Sequence, residues 1–288
     1  MASRLVKAAG AAALWSSLVS ADVPLIYNTT EFSELAKSTD GVPTQRYRSS
    51  DIVAPVLQVN KWQKDQVDKS ASHILLGTTY GDKKAGPMIL SSQDLSLVYA
   101  DQRYNNSYFA DVQKINGTSY LTFWEGDHTR QHAKGNCLIF DDTYHLKYNV
   151  TAKGNSSVRA DMHEMKVTAD GTVLFSTYLD IPYDCEAVGG PKDGKLMDSG
   201  FQELNVETDE VVFEWSASKH FALNETFAKY NEQYGVVNGS GFDYFHINSV
   251  EKVRVSLGLD QVALLTCMKD PRGQLLNIQP TSLSACSY

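Results

Sequence analysis

Phe242-Asp-Tyr-Phe-His-Ile-Asn-Ser-Val250 sets one histidine, His246, at the head of an apolar alternating run, where a strand would begin. The aromatics before it, Phe242, Tyr244 and Phe245, would wall the imidazole off from bulk water. The same plan stands 83 residues earlier (246 − 163), in Arg159-Ala-Asp-Met-His-Glu-Met-Lys-Val167, where His163 opens a strand-like run. Two histidines at equivalent positions of a repeated unit can converge on one axis. A repeat on this scale predicts a modular fold, and the stretches around it say which module.

Those stretches read as strand after strand. His73 to Thr79 and Pro87 to Leu90 are apolar and bounded by glycines, and Leu95 to Tyr99 follows a polar turn. Tyr108 to Ile115 and Ser119 to Trp124 flank Asn116-Gly117, the strongest two-residue hairpin signal. Further hairpins pair Cys137–Phe140 with Tyr144–Val150, Glu164–Thr168 with Thr172–Tyr178, and Phe201–Val206 with Glu210–Trp215. No long helical period interrupts them. The hairpins close alike, in Val98-Tyr-Ala100, Phe123-Trp-Glu-Gly126 and Phe213-Glu-Trp-Ser-Ala217, as blades that pack on their neighbours would. The predicted fold is all-β, a β-propeller of four-stranded blades in preference to a sandwich. Asp22 to Ser50 is polar and irregular, and Tyr47 to Trp62 reads as an edge strand or extended arm.

With 288 residues the chain can bury a sizeable core. Its formal charge of −8 argues against a nucleic-acid partner, which would want a basic face. Arg4 and Lys7, the apolar Ala8–Val19 run and Val19-Ser20-Ala21 form a secretory signal cleaved after Ala21, too short to span a bilayer. Half of the 14 asparagines lie in glycosylation sequons: Asn28, Asn105, Asn116, Asn149, Asn155, Asn224 and Asn238. A secreted glycoprotein is expected, with no integral membrane span. Of the four cysteines, Cys137 and Cys185 fit either a disulfide or two buried thiols, and the spacing of all four is no zinc pattern.

His163 and His246 are the candidate catalytic residues, because channel imidazoles can bind an anion or transfer a proton. Glu164 should face away from His163, as a partner between blades. No metal site is expected, since two imidazoles without a carboxylate or thiolate at ligand spacing do not make one. His128 and His132 read as a solvated loop, and Gly189-Gly-Pro-Lys-Asp-Gly194 as a turn-rich loop without the ending a phosphate loop needs. No Gly-x-Ser-x-Gly elbow is present.

Several blocks stand in one order over residues 45–252. They are Tyr47-Arg-Ser-Ser50 with Ala54-Pro55 and Lys61-Trp62, Gly86-Pro-Met-Ile89, Leu121-Thr-Phe-Trp-Glu-Gly126, Arg159-Ala-Asp-Met-His-Glu164, Val188 to Gly194 with Asp198-Ser199, Phe201-Gln-Glu203, Phe213 to Ala217, and Asp243 to Val250. Through them the chain resembles the fungal secreted arylsulfotransferase-like family, six-bladed propellers related to bacterial aryl-sulfate sulfotransferases. The resemblance implies sulfuryl transfer from a phenolic sulfate to a phenol, with no nucleotide sulfate donor and no cofactor. It implies that one channel histidine takes the sulfuryl group while other histidines and an arginine stabilise its charge. His163 and His246 would then serve oxyanion stabilisation or proton transfer, and the nucleophile and arginine belong to blades after residue 252.

There the resemblance breaks. It implies a strand like Gly-Asn-Tyr-Leu-Ile-Ser-Ser-Arg-His-Leu-Ser, whereas the chain reads Gly273-Gln-Leu-Leu-Asn-Ile-Gln-Pro-Thr-Ser-Leu283. One nucleotide string encodes the former in one frame and Gln274 to Leu283 in another, so a frame change near residue 252 is expected. The expected organisation is a signal (1–21), an irregular leader (22–46), a partial β-propeller (47–252) and an aberrant tail (253–288), with catalysis impaired. The alternative, from another class, is a non-catalytic propeller module that binds a ligand.

Overall fold

The structure, a computed structural model, describes residues 25–37, 43–48, 50–68, 70–78, 86–128, 132–155, 158–226, 228–230, 240–254, 260–269 and 275–277. The expected signal and Asn238 lie outside them. The chain divides into two compact units, residues 1–66 and 67–288.

The first unit holds the only α-helix among the described residues, α1 (Thr29–Lys37). Asn28 caps it, its Oδ1 accepting from the N–H of Thr30 at 2.8 Å and of Glu31 at 3.2 Å. Glu31 in the first turn and Lys37 in the last suit the helix dipole. The irregular leader expected over 22–46 is therefore partly helical. Strands β1 (Thr44–Arg46) and β2 (Val53–Pro55) pair antiparallel, and Ile26 bridges Gln58 in parallel.

The second unit is a series of antiparallel meanders. The first is β3 (His73–Gly77), β4 (Pro87–Ser91) and β5 (Leu97–Ala100). The second is β6 (Ser107–Ile115), β7 (Thr118–His128), β8 (Ala133–Phe140) and β9 (Leu146–Val150). The third is β10 (Ala160–Val167), β11 (Thr172–Tyr183), β12 (Gly194–Asn205) and β13 (Val211–Ser216). The last is β14 (Ile247–Arg254), β15 (Asp260–Lys269) and β16 (Leu275–Asn277). The protein is mostly β, in antiparallel sheets, none of them closed into a barrel. Asn116 (φ 48°) and Gly117 (φ 82°) make the tight turn between β6 and β7, the positive dihedrals that Asn-Gly allows at low cost. β15 falls where an aberrant tail was expected, and it pairs with β14 from Ile247↔Thr266 to Arg254↔Asp260.

Alternation along the strands sends successive side chains to opposite faces, and here both faces are buried. In β8, Leu138 and Phe140 face a core with Ile89, Leu121 and Phe123, toward the first meander. Cys137 and Ile139 turn the other way, into a core with Met165, Val173 and Phe175 of the third. In β11, Leu174 leaves that core for another, with Phe201, Trp215, Phe242, Phe245 and Val250. Successive meanders thus share a core at each junction in chain order.

The second and third meanders meet along one seam, where β8 and β10 pair only at Gly135↔Ala160. The fully buried Trp124 lies over this crossing, its Nε1–H donating to the Ala160 carbonyl at 3.0 Å. Gly135 is required there, since a Cβ would overlap both the Glu125 carbonyl oxygen and the Trp124 ring. Gly135→Ala should therefore cost about 1–3 kcal/mol through overpacking. A thermal melt would show this as a lowered midpoint, and an unchanged midpoint would mean the seam has slack.

Candidate functional site

Three histidines from different parts of the chain meet. His163 sits in β10, His246 immediately precedes β14, and His132 immediately precedes β8. The ring centroids of His163 and His246 are 5.1 Å apart, those of His132 and His246 5.5 Å, and those of His132 and His163 6.4 Å. The Tyr178 ring of β11 closes the group at 4.2 Å from His132, 5.6 Å from His246 and 5.9 Å from His163. Its hydroxyl donates to the Ile247 carbonyl at 2.6 Å, and burial holds the phenol well above its ordinary pKa.

Two aspartates orient the rings. Asp161, wholly buried, accepts from His163 Nδ1–H at 2.5 Å and from the His163 backbone N–H at 2.9 Å. Its other oxygen takes the Ala133 N–H at 2.6 Å, which fixes the start of β8 just after His132. Asp243 accepts from His246 Nδ1–H at 2.6 Å, and the same oxygen stands 3.6 Å from His132 Nε2. A carboxylate on Nδ1 fixes tautomer and ring orientation, so in His163 and His246 Nε2 is the ring nitrogen not held by that carboxylate.

The aspartates also separate the charge states. Burial works to depress His246, but the hydrogen bond and charge of Asp243, with the charge of Asp161, outweigh it and raise its pKa. His132 is held below the usual histidine value, by burial first, against the pull of Asp243. Its neighbours His246 and His163 add to the depression.

The structure thus brings His163 and His246 together. It corrects the reading of His132 as a solvated loop residue, because the side chain is only 12% exposed and packed among these rings. The expectation of no metal ligand set rested on the lack of a nearby carboxylate, and Asp243 supplies one. Ligand atoms of His132, Asp243 and His246 lie within 4.8 Å of one another. The sequence signal was the aspartate preceding each histidine, by two residues in Asp161-Met-His163 and by three in Asp243-Tyr-Phe-His246. Nothing comparable marks His132. The side chain of His128 lies outside the described residues.

Other sequence expectations find their places. Glu164 accepts backbone N–H groups from Met165 and from Val250 of β14, so it links the third and last meanders. Phe242, Tyr244 and Phe245 are buried in the core beside His246. Gly189 to Gly194 lies in the connection of the long β11–β12 hairpin, which pairs from Thr172↔Asn205 to Tyr183↔Gly194. Cys137 and Cys185 are separate buried thiols in different cores, so no bridge joins them. Asn28, Asn105, Asn116, Asn149, Asn155 and Asn224 are all exposed. Among the described residues no helix is long and apolar enough to cross a membrane.

A family model described as Arylsulfotransferase (ASST) matches residues 111–264, slightly more than half of the 288 residues. The match runs from β6 into β15 and contains all three histidines. A comparison with curated proteins found no match.

His246 should titrate above the ordinary histidine value of about 6.5. Because its folded pKa is raised, its contribution to stability is present below about 6.5 and lost as pH rises through the folded value. Asp243→Asn removes the carboxylate and leaves the burial. The midpoint of His246, followed by NMR of its ring, should then fall below 6.5, and an unmoved midpoint would contradict this assignment.

Proposed function

The chain belongs to the arylsulfotransferase (ASST) family, and from that premise we propose that it moves a sulfuryl group from a phenolic sulfate to a phenolic acceptor at the His163–His246 pair. The observation that carries this reading is two imidazoles 5.1 Å apart, each with Nδ1 held by its own aspartate. That arrangement offers two oriented nitrogens to one small anion.

His246, its pKa raised, is the proton carrier. With donor and acceptor bound together, the sulfur passes directly from the donor oxygen to the acceptor oxygen, and His246 protonates the departing phenolate oxygen as the donor S–O bond breaks. It recovers a proton from the acceptor hydroxyl as the new S–O bond forms, so the cycle returns the site to its first state. As an imidazolium, His163 keeps Nδ1–H on Asp161 and turns Nε2–H to the sulfuryl oxygens, a preset donor that favours the charge developing in transfer. Asp161 and Asp243 set the tautomers and counter the charge of the imidazolium. Tyr178, fixed to the Ile247 carbonyl, is a wall of the site and not an acid.

The proposed architecture is a partial propeller over residues 47–252, with the meanders as blades and the three rings near its axis. Cores shared between successive meanders, two of them four-stranded, support it. We also propose a secreted, glycosylated protein, a reading that the six exposed sequon asparagines support.

The test is release of a coloured phenol from 4-nitrophenyl sulfate in the presence of a phenol acceptor. His246→Ala and His163→Ala should each lower kcat by about 10²–10⁴, the range of a positioned acid–base group. Release that persists unchanged in both variants would place the chemistry elsewhere.

A further inference from the structure

We propose that His132, Asp243 and His246 form a binding site for one divalent transition-metal ion of the zinc class, distinct in its ligands from the His163–Asp161 pair. Three observations converge on it. The ligand atoms lie within 4.8 Å of one another. Asp243 Oδ2 lies between the two imidazoles, 2.6 Å from His246 Nδ1 and 3.6 Å from His132 Nε2. Asp243 Oδ1 is buried and has no hydrogen-bond partner. A buried carboxylate oxygen left unsatisfied is costly, and a cation on Asp243 that draws on Oδ1 as well as Oδ2 would remove that cost.

The distances suit the ion. Zinc bonds of about 2.0–2.1 Å at tetrahedral angles set ligand atoms about 3.3 Å apart, a value the two observed separations bracket. Two imidazoles and one carboxylate are the ligand types of zinc and its neighbours, and not of magnesium or calcium, which want an all-oxygen shell. Two flanking groups are excluded as ligands by their own bonds. The Tyr178 hydroxyl is committed to the Ile247 carbonyl, and Asp161 to His163 and Ala133. That leaves three protein ligands and an open fourth position, the pattern of zinc sites that bind a water or a substrate. The ion and the proton now shared by His246 and Asp243 are mutually exclusive occupants, since both need His246 Nδ1, so a bound ion takes His246 out of proton transfer and the metal-free chain is the form that carries the proposed reaction.

The test uses the whole chain, freed of metal with a chelator and titrated with Zn²⁺ and separately with Co²⁺. The expected result is one equivalent of Zn²⁺ at a Kd of about 10 μM or tighter, with intense visible bands from four-coordinate Co²⁺. His132→Gln and Asp243→Asn should weaken binding at least tenfold, and His163→Gln should leave it unchanged. A mutation-free check covers the case in which a variant does not fold. On addition of Zn²⁺ to wild type, the ring resonances of His132 and His246 should move further than those of His163. No saturable binding, binding that survives in folded His132→Gln, or a larger shift at His163 would each overturn the proposal.

Discussion

A single buried carboxylate ties the sheet to the site. Asp161 is wholly inaccessible to solvent, and it is tolerated only because its acceptor capacity is filled. One oxygen takes the start of β8 through the Ala133 N–H, and the other takes the backbone and the ring of His163. The strands it joins pair with each other at one position only, Gly135↔Ala160, so little else holds this end of the seam in register. Trp124 fastens the same crossing through Ala160. Where His132 and His163 stand relative to each other is thus decided by the interaction that joins the two meanders.

Further ties bring the third histidine to the same place. Phe242 bridges Leu196, the Gly241 N–H donates to Asp180, and Ser199 Oγ donates to the Phe245 carbonyl, so β11 and β12 carry the whole lead into His246. Lys252 then pairs with the buried Glu203 at 2.8 Å, closing β14 on β12. Site geometry and core packing share these contacts, because His132 and His246 immediately precede strands and His163 lies within β10, and all three strands run on into core. Asp243 differs from Asp161 in having two imidazoles near one oxygen and none of its hydrogen bonds at the other. The first aspartate has a finished role in the fold, and the second keeps capacity for a ligand.

The sequence made the strands legible because they are short, alternate, and are bounded by turns such as Asn116-Gly117 whose chemistry has few other uses. It also made His163 and His246 legible, since a repeat marks equivalent positions. It did not reveal α1, a short helix started by the Asn28 cap in a polar stretch without a strong apolar period. His132 was illegible for a different reason. Its loop is polar, and the tie of Ala133 to Asp161 that draws the residue inward is a contact 28 residues away in the chain. Asp161 and Asp243 could have been read, one in each copy of the repeat, but alternation says nothing of a side chain that turns back on its own strand. β15 is apolar from Val262 to Leu265 and pairs with β14.

The proposed reaction transfers a sulfuryl group and does not release it to water. The direct measurement is product analysis by mass spectrometry after incubating the purified chain with an aryl sulfate and a distinguishable phenol. One sulfated acceptor for each donor phenol released is the predicted result. Donor phenol accompanied by inorganic sulfate alone, or neither product at all, would contradict it.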